Sequence, residues 1–253
     1  MNGDTFATDS IENGRRRLAV LGFHKIGSPP VQGWDSWFYI STTIFDGFLC
    51  WLKESDWRVI SADQFVTGLE SPETLPPRSV LLTFDDGCRS MRYVTLPLLR
   101  RFNFPAVLFV PTGFIGLVNS FDAGIEPEES ICDWADLMEL QRYGVSIQSH
   151  SVSHRPFSAL DPVERDRELN DSKALLEDRL GNPVDFFSFP YGDYGGDRLA
   201  SASALRRSGY KAAYLYGGGP MPVPVLDVYQ ISRLKIGPDT DLGRELEDEP
   251  KTP

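Results

Sequence analysis

Short apolar runs recur along this chain with helix-period segments between them, and that alternation restricts the fold more than any other feature. Residues 16–22, 57–60, 80–84, 106–110, 145–149, 185–189, 210–216 and 228–236 read as strands, each brief, apolar and bounded by turn residues. Between them, apolar residues return at helical spacing over residues 44–52, 62–69, 90–102, 134–143, about 161–180 and 197–208. Strand-helix alternation on this scale predicts an α/β domain whose strands are parallel, and 253 residues suffice to close them into a barrel.

Helix boundaries are written in residue types. Ser61, Asp133 and Asp161 are N-cap candidates, and Gly144 and Gly181 are C-terminal stops. Pro97 falls inside the 90–102 segment and predicts a kink or an early stop. Residues 29–41 and 114–131 lack periodicity and read as loops, the second long and acidic. The expected organisation is a frayed polar segment over residues 1–15, one domain over 16–238, and an acidic tail over 239–253.

Composition excludes some functions. A net charge of −11 argues against a nucleic-acid surface, which needs clustered Lys and Arg. Cys50, Cys88 and Cys132 are odd in number and unpaired in spacing, so neither a disulfide framework nor a zinc knuckle is expected. Residues 1–15 hold no apolar core of signal-peptide length, and no later stretch reaches the length of a membrane span. The expectation is a soluble, cytoplasmic chain with reduced thiols. The oligomeric state is left open.

Chemistry concentrates where strands end. The run Val80-Leu81-Leu82-Thr83-Phe84 stops in Asp85-Asp86-Gly87. Neighbouring strand residues point to opposite sides, so the two carboxylates are free to take different tasks, while Gly87 permits a sharp turn. The strand at 145–149 ends in Ser149-His150-Ser151-Val152-Ser153-His154, which holds two of the three histidines four positions apart. Two imidazoles and a carboxylate that leave coordination positions open suit a catalytic divalent cation such as Zn²⁺. The third histidine, His24, closes the first strand. In a parallel barrel all these ends share one rim.

Thr83-Phe84-Asp85-Asp86-Gly87, His150-Ser151-x-x-His154 and Phe189-Pro190-Tyr191-Gly192, in that order, resemble the three leading motifs of the polysaccharide deacetylases, the NodB-homology carbohydrate esterases of family 4. The resemblance spans roughly residues 17–237. Phe23-His24-Lys25-Ile26-Gly27 is similar to the N-terminal element of the circularly permuted branch that acts on poly-N-acetylglucosamine. Ser188 stands where many members carry Arg, and no histidine follows His154 where a late Leu-x-His is usual. The permuted branch accommodates both departures, with His24 as the acid and Arg233 as the missing positive charge.

The resemblance implies a distorted (β/α)7-type barrel and a metal-dependent hydrolase that deacetylates an N-acetylated sugar or glycoconjugate. Asp86, His150 and His154 would bind the cation, expected to be Zn²⁺ with Co²⁺, Ni²⁺ or Fe²⁺ as alternatives. Asp85 would be the base for its water, and His24 would protonate the departing nitrogen. A backbone N–H near Tyr191 would hold the oxyanion, with Pro190, Arg233 and Trp134 as further substrate-contact candidates. Open alternatives are a deformylase or cyclic-amide hydrolase on the same site, an inactive sugar-binding relative, and a non-haem iron oxygenase, against which the absent H-x-D/E pairing speaks.

Overall fold

The structure is a computed structural model and describes residues 16–30, 34 and 36–246. The strands β1 (Arg17–Phe23), β2 (Arg78–Phe84), β3 (Ala106–Val110), β4 (Val145–Ser149), β5 (Phe186–Ser188) and β6 (Ala212–Tyr214) pair in that order, every neighbour parallel. A last short strand, β7 (Leu234–Lys235), pairs with β1 through Leu21 and Leu234. Tyr214 and Ile231 bridge β6 to the segment leading into β7, so seven strands return on themselves as a distorted (β/α)7 barrel.

The distortion lies at the bottom of the barrel. Arg58–Val59 pairs with the first half of β2 while β3 pairs only with its last residues, so β2 and β3 splay apart below. Met221–Pro222 runs antiparallel to the start of β1 and takes the place there that β7 takes higher up. The opened base is plugged by Phe65, Ile60 and Leu75, which join the inward side chains Leu18, Val20, Leu81, Val107, Phe109, Phe186 and Tyr214. The alternate residues of the same strands, among them Ala19, Leu21, Leu82, Leu108 and Ile147, face the outer helices.

The helices are α1 (Thr42–Glu54), α2 (Ala62–Glu70), α3 (Leu96–Phe102), α4 (Trp134–Arg142), α5 (Pro162–Leu180), α6 (Arg198–Arg207) and α7 (Leu242–Leu246). Ser61, Asp133 and Asp161 each cap a helix reciprocally with Gln64, Asp136 and Glu164. Pro97 does not kink a continuous helix: residues Met91–Thr95 form a wide π-type turn and α3 starts at Leu96, because proline has no N–H for the regular ladder.

Three expectations are corrected. The strand expected over 228–236 pairs regularly only at Leu234–Lys235, since the Arg233 side chain turns into the barrel. The loop expected over 29–41 contains Tyr39–Ile40, paired in parallel with Lys25–Ile26. The acidic tail from 239 onward folds as far as Leu246, because Leu242 and Leu246 are buried in the core. The segment 1–15 and residues 247–253 lie outside the described residues. Among those described, no helix is long and apolar enough to cross a membrane.

Candidate active site

The C-terminal ends of the strands meet around a cavity of about 350 Å³ lined by His24, Asp85, Asp86, His150, His154 and Tyr191, among others. The backbone is unusual there. Asp86 (φ 71°), Ser151 (φ 68°), His154 (φ 56°) and Tyr191 (φ 59°) all adopt left-handed conformations; the only other described non-glycine residue that does so is Asn103, at the end of α3. Each such residue costs on the order of 1–3 kcal/mol, and such strain is characteristic of built sites. Glycines complete the turns: a Cβ on Gly192 would come within 2.8 Å of the Tyr216 backbone nitrogen.

Asp85 ends β2 and turns into the barrel. Its N–H bonds to Phe23 O, and its two carboxylate oxygens accept from Arg233 Nη1 and Nη2 at 2.8 and 2.7 Å. Arg233 is fully buried, with Nε donating to Leu215 O and the remaining donors reaching Ser188 Oγ and Thr83 Oγ1. Burial pushes the Asp85 carboxyl up, but Arg233 pulls it down further, so it stays ionised. Arg233 therefore braces Asp85 and supplies the positive charge expected of it, but it is buried behind Asp85 and does not line the cavity, which corrects its listing among the substrate-contact candidates. Ser188, where Arg was the more usual residue, is one of its partners.

Asp86 faces the other way, towards the histidines. Its Oδ1 is 3.6 Å from His150 Nε2 and 3.3 Å from His154 Nε2. Burial raises the Asp86 carboxyl, and the two imidazoles bring it to a net position well below the usual carboxylate range. The His150 ring is oriented by Nδ1, 2.8 Å from Ser188 O, which leaves Nε2 as the inward atom. His154 Nδ1 is buried without a hydrogen-bond partner, and its ring lies 4.2 Å from Phe121 and 4.9 Å from Tyr191, centroid to centroid.

One ligand atom from each of Asp86, His150 and His154 lies within 4.8 Å of the others, and all three residues are buried. Two imidazoles and one carboxylate match the donor set that divalent transition metals take, with room left for further ligands. The residues fit a cation.

His24 follows β1 between the rings of Phe38 and Tyr216, 4.7 and 5.0 Å away. Burial lowers its pKa more than Asp86 and Asp85 raise it. Trp134 is not in the cavity: it packs against the core on the outer layer beneath Arg179, since position 134 is the first turn of an amphipathic helix. Pro190 is likewise buried and shapes the turn that presents Tyr191 without itself lining the cavity.

Other lining residues escaped the sequence reading. Lys25, 2% exposed, ion-pairs with Glu126 at 3.3 Å; Asp122 comes from the same long loop and is pushed up to about 6 by burial and by Asp86. Tyr216 and Lys235 lie just past β6 and on β7. Inspecting the end of every strand would have found Lys25, Tyr216 and Lys235, but Asp122 and Glu126 reach the site through a loop without a periodic signal.

A sequence model described as polysaccharide deacetylase matches residues 73–213. The poly-beta-1,6-N-acetyl-D-glucosamine N-deacetylase of Staphylococcus aureus is 22% identical over 207 residues, which cover 80% of this chain and 69% of that protein. The Streptococcus pyogenes deacetylase PplD, solved in complex with acetate, superposes with a TM-score of 0.79 at 21% identity, covering 92% of this chain and 100% of that one. The BpsB deacetylase domain from Bordetella bronchiseptica superposes at 0.71 with 24% identity, over 87% and 96% of the two chains. At such identities the structural likeness speaks to the fold.

Proposed function

This chain belongs to the polysaccharide deacetylase family, and on that premise we propose that it hydrolyses the N-acetyl amide of a glucosamine unit in a glycan, with a divalent cation held by Asp86, His150 and His154. The observation that carries the reading is the convergence of those three ligands beside a second carboxylate, Asp85, kept ionised by Arg233.

Such a cation makes water more acidic and draws electron density from the amide carbonyl. Asp85 Oδ1 and Oδ2 each accept one Arg233 N–H and keep a lone pair, so the carboxylate takes the proton of the attacking water. Arg233, buried and bidentate, fixes its plane. In the Tyr191 turn the Gly192 and Asp193 N–H groups are committed to Phe189 O and Pro190 O, and Tyr191 N–H is the donor proposed for the oxyanion. His24, which lines the same cavity, gives a proton to the nitrogen as the C–N bond breaks. The products are acetate and a free amine.

The test is cation content of the purified protein together with acetate release from N-acetylglucosamine oligomers, with and without chelator. Chelator-sensitive release is the expected result. A protein that takes up no cation on reconstitution, or releases acetate regardless of chelator, would sink the proposal.

A further inference from the structure

Next to the cavity stands a tryptophan that the chemistry above does not use. Phe38 lines the cavity 4.7 Å from the His24 ring, and a further 5.9 Å separates its centroid from that of Trp37. The Trp37 indole is held from two directions. Its Nε1 donates to Asp239 Oδ1 at 2.7 Å, and the ring lies over Gly237 so closely that a Cβ there would be 2.1 Å from Cε2. Asp239 belongs to a turn closed on itself by Gly237 N–H to Thr240 Oγ1 and Thr240 N–H to Gly237 O. The residue is nonetheless 37% exposed.

An exposed aromatic side chain held by Asp239 and packed on Gly237, next in the chain to a residue that lines a sugar-sized cavity, has a definite use. A pyranose presents a face of C–H groups that packs on an aromatic face, and such packing is favourable when the ring has already lost its rotamer freedom. Tryptophan also tolerates being half in water because its N–H has a partner, here Asp239. A core tryptophan would bury its faces, and a disposable surface residue would not need a glycine beneath it.

We infer that Trp37 is a sugar-stacking subsite, which binds the unit next to the one whose N-acetyl group enters the cavity, with Phe38 spanning the two. The inference rests on the deacetylase reading for what occupies the cavity. It adds that Trp37 sets the preference for chains over single sugars.

The experiment compares kcat/KM for an N-acetylglucosamine tetramer and for the monomer in the wild type, Trp37→Ala and Trp37→Phe. Losing a stacked sugar is worth roughly tenfold, so the tetramer-over-monomer preference should fall about tenfold in the alanine variant, through KM. The phenylalanine variant, which retains a ring face, should keep most of it. An unchanged preference in Trp37→Ala overturns the inference, as does an equal loss in both variants.

If the wild type hydrolyses neither substrate, the deacetylase reading fails by itself. Calorimetric titration with the same tetramer then decides the subsite. Binding to wild type that is lost in Trp37→Ala upholds it, and no binding to wild type overturns it.

Discussion

Asp85 and Asp86 are adjacent in the chain and opposite in environment. Asp85 is neutralised by an arginine that reaches it from the segment just before β7, whereas Asp86 has only imidazoles before it. One carboxylate is thereby turned away from the proposed cation position and the other directed onto it. Asp85→Asn is expected to abolish acetate release while cation stoichiometry is retained, and His154→Ala to lose the cation; normal turnover in either variant would refute the assignment. Asp85→Asn also leaves Arg233 charged and buried without a counter-ion, at a cost of about 3–5 kcal/mol in unfolding free energy. The same pair predicts a pH dependence. The Asp85 carboxyl lies below its ordinary value near 3.9 in the folded chain, so its contribution is complete above that value and is lost as pH falls through the lower, folded one. Thermal melts of the chelated protein from about pH 5 to pH 2 should accordingly fall more steeply for wild type than for Asp85→Asn. Equal slopes would show that Asp85 carries no such stabilisation.

At the scale of elements, the histidine turn is held from behind by α5. Glu168 accepts from Val152 N–H at 2.7 Å, Ser153 N–H at 2.8 Å and Ser153 Oγ at 2.5 Å, across the residues between Ser151 and His154 that stand in left-handed conformations. Releasing those donors lets His154 relax away from Asp86. Glu168→Ala should weaken cation affinity about 10- to 100-fold, the usual cost of removing support behind a ligand, measured by competition with a chromophoric chelator; an unchanged affinity would assign Glu168 to the turn alone. The 114–131 loop is fastened comparably, by Glu126 to Lys25 and Ser36 and by Glu129 to Tyr39. Here legibility divides. The strands from β2 to β4, the three capped helices and the Asp85, Asp86, His150 and His154 cluster were readable because each depends on a local pattern of apolar spacing, cap types or strand-end polarity. The loop's contribution was not, because Lys25 and Glu126 are 101 residues apart and nothing near either announces the other. Trp134 was a candidate by residue type alone, and its place on an amphipathic helix, also legible in the sequence, is what commits it to the core.

Over the whole molecule, the barrel's closure and its chemistry depend on the same few contacts. Arg233 joins the segment before β7 to β2 through Asp85 and Thr83, to β5 through Ser188 and to the end of β6 through Leu215 O. This side chain reinforces the seam that backbone bonds of Ala213, Leu215 and Gly217 with residues 228–233 make between β6 and the segment before β7. The proposed ligands bridge a second gap, Asp86 from the end of β2 and the two histidines from the end of β4, across the intervening β3. A cation bound there cross-links strands that do not pair, and it binds only the folded chain, so it must stabilise the whole barrel. At a free concentration of about 100 times its dissociation constant the linkage amounts to about 2.7 kcal/mol, or a Tm shift of about 5–10 °C for a domain of this size. Chelation should lower the wild-type Tm by that amount, and re-addition of the cation should restore it. His154→Ala is expected to show no cation-dependent shift at the same concentration. A shift of equal size in that variant would mean that the stabilising cation binds elsewhere on the molecule, and the Asp86, His150 and His154 cluster would then have to be read as a hydrogen-bonded core network.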